Sequence, residues 1–400
     1  MKHFAPFDPS VDKQIELQVS GKNKRLRLIL FIVAAGAAIF FFTFGIYQIT
    51  NKKPGMYDIT ARASDDVPLY ANGVKFSYYC EGNGSEIREL TGTLTTLYSG
   101  AMERLYKLTD PENTYEGFTN LASINESPGQ ALRVPEELYK MLKSAWERSQ
   151  GDTGYHLAAG PLNTVWQDIL SLSFPEDFDP LYNEETEEQI RVYSGVLKDA
   201  SAVSLEFDDD AQTVKLTVST KYEALRDEYG DEGPLLDFGI LRRAYMVNAV
   251  CDILLSRDYT EGFISTEDGL TIVLSETMEA EHTLYAVNNG RLKEQEKAAT
   301  LGRVSVFEYT AFALTEDSPD FYELEYKGSV LYRNRFFDPL TGEVNQLLLS
   351  SLVSIGGCDP IEAMMQQLKL LQCRNEQELK AMVDDMEAED IRVIYILNEQ

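Results

Sequence analysis

The sequence predicts an α+β fold, and three observations carry that expectation. Apolar residues recur at helical spacing in several segments before residue 200. Beyond Ala202 the period drops to two. Helices and strands then mix without the strict alternation of a parallel βαβ protein.

The elements follow in chain order. Residues 1–27 form a polar tail, and Leu28–Thr50 (LILFIVAAGAAIFFFTFGIYQIT) carries no charge. At about 1.5 Å per residue this run reaches about 34 Å, enough for a hydrocarbon core of about 30 Å. It has no polar stripe, as a buried core helix would. It is longer than a signal-peptide core, and no small-x-small cleavage site precedes Asn51-Lys52-Lys53. The expectation is a single membrane-spanning helix. Lys22, Lys24, Arg25 and Arg27 outweigh Lys52 and Lys53, which places the tail in the cytoplasm and the rest outside it, at the cell membrane.

Residues 51–66 read as a polar connector and residues 67–400 as the extracytoplasmic domain. In Ser85–Lys107, Ile87, Leu90, Leu94, Leu97, Ala101 and Leu105 line one helical face. Pro135–Ser149 starts with Pro at a first-turn position followed by Glu136 and Glu137, and Leu138, Met141, Leu142 and Ala145 share a face. Asn183–Leu197 gathers Glu184, Glu185, Glu187 and Glu188 at the positive end of a helix dipole. Ala202–Phe207 and Thr213–Ser219 alternate about Asp208-Asp209-Asp210, a hairpin whose acidic turn lacks the Gly and distal Glu of a calcium loop. A helix is expected over Leu241–Ser256, then strands over Gly262–Thr266, Leu270–Ser275, Arg303–Thr315 and Phe321–Tyr332. Helices over Asp359–Leu371 and Asn375–Met386 and a strand over Ile391–Leu397 close the chain.

Roughly 350 residues beyond the apolar run suffice for one large domain or two small ones. A hydrophobic content of 44% with 11% aromatic residues favours a packed globule over disorder. A net charge of -29 disfavours nucleic acid and anionic headgroups, because both need a basic footprint. Cys80, Cys251, Cys358 and Cys373 show no zinc or redox spacing. Cys251, within AYMVNAVCDILL, reads as core; a Cys358–Cys373 bridge is left open for an oxidising exterior.

Known catalytic motifs are absent: no GxGxxG, no P-loop and no GxSxG. His3, His156 and His282 are the only histidines, too few for a His-rich metal site, and His282 is expected at the surface. Asn83-Gly84-Ser85 and Asn125-Glu126-Ser127 match the glycosylation triplet, which matters only in a eukaryotic secretory route.

Four collinear segments between about Phe76 and Met386 resemble the FAD:protein FMN transferase (ApbE-like) family. Thr119–Asn125, TNLASIN, is similar to SEISRLN and keeps the final Asn125. Thr153–Trp166, TGYHLAAGPLNTVW, is similar to GAFDPTVGPLVNLW, with His156 and Ala158 at its Asp and Thr positions. Asp237–Asn248, DFGILRRAYMVN, is similar to DLGGIAKGYAVD; Asp237, Gly239, Tyr245 and Val247 agree, while Ile240, Arg243, Ala244 and Asn248 differ. Arg335–Gly342, RFFDPLTG, is similar to HIIDPRTG, with Arg335 at the His position and the Asp338-Pro339 and Thr341-Gly342 pairs retained.

The resemblance implies an ApbE-like fold and Mg²⁺-dependent transfer of FMN from FAD to a Thr or Ser of an acceptor protein. It places Asn125, His156, Asp237, Gly239, Arg243 and Asp338 among the cofactor-binding positions and Arg335 at the catalytic one. Glu362 and Gln366, four apart on one helical face, stand where the family holds its metal. Arg335 stays protonated near pH 7 and does not replace an imidazole as base. Ile240 and Ala244 narrow a backbone approach that glycines leave open. The departures cluster on positions that carry chemistry, and packing positions such as Leu162, Trp166 and Tyr245 persist. The simplest reading is a retained fold with impaired or lost catalysis and a flavin- or partner-binding role. An active transferase with substituted machinery, and a cell-envelope interaction protein without flavin, stay open.

Overall fold

A computed structural model describes residue 41 and residues 52–62, 73–151, 153–230, 233–288, 291–314 and 320–398. The expected span 28–50 lies outside these, Phe41 excepted. Among the described residues no helix is long and apolar enough to cross a membrane. Contacts separate a unit of Met1–Lys53 with Gly82–Arg88 from a unit of Pro54–Glu81 with Glu89–Gln400. The second unit carries the sheets and every candidate site residue.

Its centre is a seven-stranded antiparallel sheet of β1 (Gly55–Asp58), β2 (Val74–Cys80), β3 (Gly262–Thr266), β4 (Leu270–Val273), β5 (Val304–Thr310), β6 (Leu348–Gly356) and β7 (Arg392–Leu397). These strands lie side by side in chain order. β1 falls in the stretch expected to be connector: Asp58 pairs with Ser77, whose hydroxyl donates to the Asp58 carboxylate at 2.7 Å. Short and polar, this edge strand carries too little alternation to be seen in the sequence.

β6 reads LLSSLVSIG and is buried along its first seven residues because it is covered on both faces. A helix, Pro360–Leu371, packs on one side, where the Ser351 hydroxyl donates to the Gln367 side-chain carbonyl at 2.9 Å. On the other side Leu352 joins Val273, Leu284, Ala298, Val304 and Val306 in one apolar cluster. Leu284 and Ala298 belong to a long hairpin, Glu279–Asn288 with Arg291–Leu301, that the sequence analysis did not anticipate. Its second strand, RLKEQEKAATL, is exposed at all but two positions, so almost no inward-facing apolar residues mark it. His282 sits in that hairpin and is buried rather than at the surface, hydrogen-bonded to Glu308 at 2.6 Å and Thr300 at 3.0 Å. Being polar, it gave no inward signal; strand register turns it toward the sheet.

The stretch Phe321–Tyr332 is two strands, Phe321–Tyr326 and Ser329–Asn334, paired about Lys327-Gly328. Both turn residues have positive φ, 53° and 88°, the requirement of a tight hairpin turn that Gly328 meets without strain. The strand expected over Arg303–Thr315 ends at Thr310. The hairpin about Asp208–Asp210 is present, its strands Val203–Asp208 and Thr213–Val218 joined by Ala131–Arg133.

All four cysteines are free thiols. No Cys358–Cys373 bridge forms, because Cys358 precedes and Cys373 follows the helix Pro360–Leu371, whose 12 residues span about 18 Å.

Candidate functional site

Four stretches distant in the sequence enclose a cavity of about 380 Å³: residues 106–113, residues 154–168 with most of the helix α1 (Gly160–Ser171), residues 234–242 and residues 335–339. Of the residues singled out in the sequence, His156, Trp166, Asp237, Gly239, Ile240 and Arg335 border it.

Asp237 holds the turn into the helix α2 (Arg242–Leu255). Its carboxylate accepts from the Gly239 N–H at 2.9 Å and from the Asn163 amide at 3.0 Å, and its own N–H donates to the Leu157 carbonyl. Asn125 stands behind the wall. Its side-chain amide donates to the carbonyls of Pro111 and Leu236 at 3.0 and 2.9 Å, and its carbonyl accepts from the Leu236 N–H. The retained Asn thus fastens two wall segments together.

α1 meets residues 234–235 at its first residue. The Gly160 N–H donates to the Leu235 carbonyl, and a Cβ at Gly160 would lie 2.1 Å from the Pro234 carbonyl oxygen. Only glycine allows this backbone approach. Further along α1, Trp166 stacks on Phe337 with centroids 4.9 Å apart and donates its indole N–H to the Asn334 carbonyl at 2.8 Å. These contacts set the far wall, where Arg335 pairs with Asp320 at 3.4 Å. Arg335 also borders a second cavity of about 820 Å³. Arg243 lines that one, held by Glu267 at 3.2 Å and Asp268 at 3.5 Å.

His156 is buried, and its Nδ1 accepts from the Ala158 N–H at 3.1 Å, so the neutral ring carries its proton on Nε2. Burial pushes its pKa down to about 4. Between pH 6.5 and 4 the unfolded chain binds a proton here that the folded chain refuses, so this group lowers stability as the pH falls through that window. The loss amounts to roughly 3 kcal/mol when complete. In His156→Gln the slope of unfolding free energy against pH should flatten between pH 6.5 and 4; an unchanged slope in urea melts would refute the assignment.

Among the lining residues that sequence reasoning missed, three stand out. Tyr155 is buried with a hydroxyl that has no hydrogen-bond partner, and burial raises its pKa. Asn163 directly follows the Gly160-Pro161-Leu162 match and could have been found from it. Arg242 lies against the Tyr106 ring at 4.7 Å and donates to Thr109 and the Tyr106 carbonyl. Asp338 is elsewhere: its carboxylate accepts from the Leu340 N–H and its carbonyl from the Gly342 N–H, closing the turn of the DPLTG segment.

Glu362 and Gln366 do share one face of the helix α3 (Pro360–Leu371), but neither borders the cavity. One Glu362 oxygen accepts from the Arg148 guanidinium at 2.8 Å, the other from the Gln366 amide at 2.7 Å, and Lys369 donates to Gln366. Burial opposes ionisation of Glu362, yet the Arg148 and Gln366 hydrogen bonds prevail and hold its pKa below the usual value. These residues do not fit a resident Mg²⁺: a guanidinium already neutralises the carboxylate, and the amide carbonyl is taken by an ammonium. Among the described residues no group of three or more His, Cys, Asp or Glu side chains is arranged to hold a metal ion. Arg148 gave no sequence signal, lying 214 positions from its partner.

The sequence matches no family model and no curated protein. Solved structures do resemble it. The ApbE protein of Thermotoga maritima superposes with a TM-score of 0.54 at 15% identity, over 86% of this chain and 94% of that one. Flavin transferase ApbE from Vibrio cholerae gives 0.54 at 13%, over 86% and 94%. The apo flavinyl transferase ApbE of Pseudomonas stutzeri gives 0.51 at 16%, over 87% and 92%. With superposition over that share of both chains, the chain has the fold of the ApbE flavin transferases.

Proposed function

We propose that this chain is a membrane-anchored, extracytoplasmic domain of flavin-transferase fold that binds a flavin in the cavity beside His156 and does not perform Mg²⁺-dependent FMN transfer. Supporting the binding half, the cavity is of small-molecule size, with stacked Trp166 and Phe337 on one side and Tyr155 on another. A planar ring with polar edges suits such walls. One observation carries the second half: Arg148 and Gln366 occupy both oxygens of Glu362, where the family resemblance places a metal. Arg335, at the position of the family's imidazole, is a fixed cation and supplies no base near pH 7. The anchor rests on residues 28–50, and an envelope partner or acceptor protein is the expected interaction.

Titration of the full chain with FAD, with and without Mg²⁺, tests this. FAD should bind in the micromolar range, with an affinity that Mg²⁺ changes by less than about twofold. Absence of binding at about a millimolar would overturn the flavin reading in favour of a partner-binding scaffold. Mg²⁺-dependent labelling of a Thr-containing acceptor would overturn the loss of catalysis.

A further inference from the structure

We propose that Arg242 is the phosphate-binding residue of the 380 Å³ cavity, so that the cavity takes a phosphorylated flavin and discriminates against riboflavin. The inference rests on the flavin reading above. Arg242 and Arg335 are the arginines that border the cavity, and no lysine does. Arg335 is spent on Asp320. Among the described residues the contacts of Arg242 are the Thr109 hydroxyl at 3.1 Å, the Tyr106 carbonyl at 3.3 Å and the Tyr106 ring at 4.7 Å. No carboxylate is among them. A guanidinium stays charged at any working pH, so its counterion is left for a ligand to supply.

The donor inventory fits that role. Of the guanidinium hydrogens, the one on Nε goes to Thr109 and one on Nη2 goes to Tyr106. Both Nη1 hydrogens and the second on Nη2 remain, the edge that matches two phosphate oxygens. Stacking on Tyr106 and the two hydrogen bonds fix this fork before a ligand arrives. The acids of the cavity do not compete for it. Asp110 accepts from the Tyr115 hydroxyl at 2.6 Å and from the Glu112 and Asn113 N–H groups, and Asp237 is held by Gly239 and Asn163. Glu112 and Asp168 are exposed. Arg242 also opens α2, whose first turn carries no acid, so the positive end of the helix dipole adds to the same potential. In the resemblance, Arg243 stands at the Lys of DLGGIAKGYAVD and Arg242 at the Ala before it. The residue at the Lys position is neutralised by Glu267 and Asp268 at the other cavity, and its neighbour brings the charge to this one.

Calorimetric titration of the native full chain with riboflavin, FMN, FAD and inorganic pyrophosphate, at low and at high salt, tests this. FMN and FAD should bind about 10–100-fold more tightly than riboflavin, the size expected of charge-assisted hydrogen bonds. That preference should shrink as salt rises. Arg242→Gln should lose most of the preference while its riboflavin affinity stays within about twofold of wild type. Arg242→Lys keeps the charge without the fork and should fall between the two; it decides if Arg242→Gln fails to fold. Equal affinities for riboflavin and FMN in the wild type, or a preference that survives in both variants, would overturn the assignment and leave the flavin reading standing. If no flavin binds, the flavin reading falls and pyrophosphate decides alone. Pyrophosphate binding that the Arg242 variants weaken upholds the phosphate site, and its absence overturns that too.

Discussion

Asp179→Ala should cost about 3–5 kcal/mol of stability, because it strands a guanidinium in the interior. The Asp179 side chain is fully buried. It accepts from Arg333 Nε at 2.6 Å, from the Tyr322 hydroxyl at 2.7 Å and from the Leu181 N–H at 2.8 Å. Burial alone would raise its pKa; the Arg333 hydrogen bond and charge prevail and lower it. A carboxylate with a lowered folded pKa stabilises the protein above its unfolded value, near 3.9, and that contribution disappears as the pH falls through the lower folded value. The wild-type advantage over Asp179→Ala should therefore persist at neutral pH and shrink only below about pH 4. Urea unfolding at several pH values measures both. Asp179→Leu combined with Arg333→Met should recover much of the loss, since an apolar pair removes the stranded charge. A single-variant loss under about 1 kcal/mol would show that water reaches Arg333 and that the pair is not structural. The consequence reaches the cavity, because the strand carrying Arg333 ends at Asn334, whose carbonyl holds Trp166, and the next residue is Arg335.

Gly160→Ala should cost roughly 3 kcal/mol and weaken FAD binding in whatever protein still folds. The added methyl meets the Pro234 and Leu235 carbonyl oxygens at 2.1 and 2.8 Å. Both neighbours are backbone, so no rotamer change relieves the clash, and the segment leading to Asp237 must move. Gly195 is the control: it is an exposed helix glycine with nothing within 4 Å of an added Cβ. Gly195→Ala should stabilise by about 0.5–1 kcal/mol through helix propensity. Melting temperatures and FAD affinities of the two variants decide the point. Equal, small effects would mean that the wall at residues 234–237 is plastic and that Gly160 does not shape the cavity.

Elements with strong periodicity or turn chemistry were legible in the sequence. The helix around Leu138, Met141, Leu142 and Ala145 buries those residues, and the hairpin about Asp208–Asp210 pairs as expected. The strand Gly55–Asp58 and the hairpin Glu279–Leu301 were not legible. Each is held by backbone pairing to a neighbour and offers few inward apolar side chains, so its identity as a strand is a property of the partner. The cavity was half legible. His156, Asp237, Gly239 and Arg335 were marked through segments that keep a recognisable pattern. Asn163 and Tyr155 stood beside such marks without a motif of their own. Asp338 and Asn125 hold backbone in place instead of lining the cavity.

By itself the sequence determined the fold class, the order of most elements and the acidic surface, because periodicity, turn residues and net charge are local properties of the chain. Tertiary structure alone decided which charges are spent on each other. Glu362 with Arg148 and Asp179 with Arg333 are far apart in the chain, and no residue type or spacing names the partner. Whether a carboxylate is free to bind a ligand depends on the group packed against it, and that is set only when the elements come together.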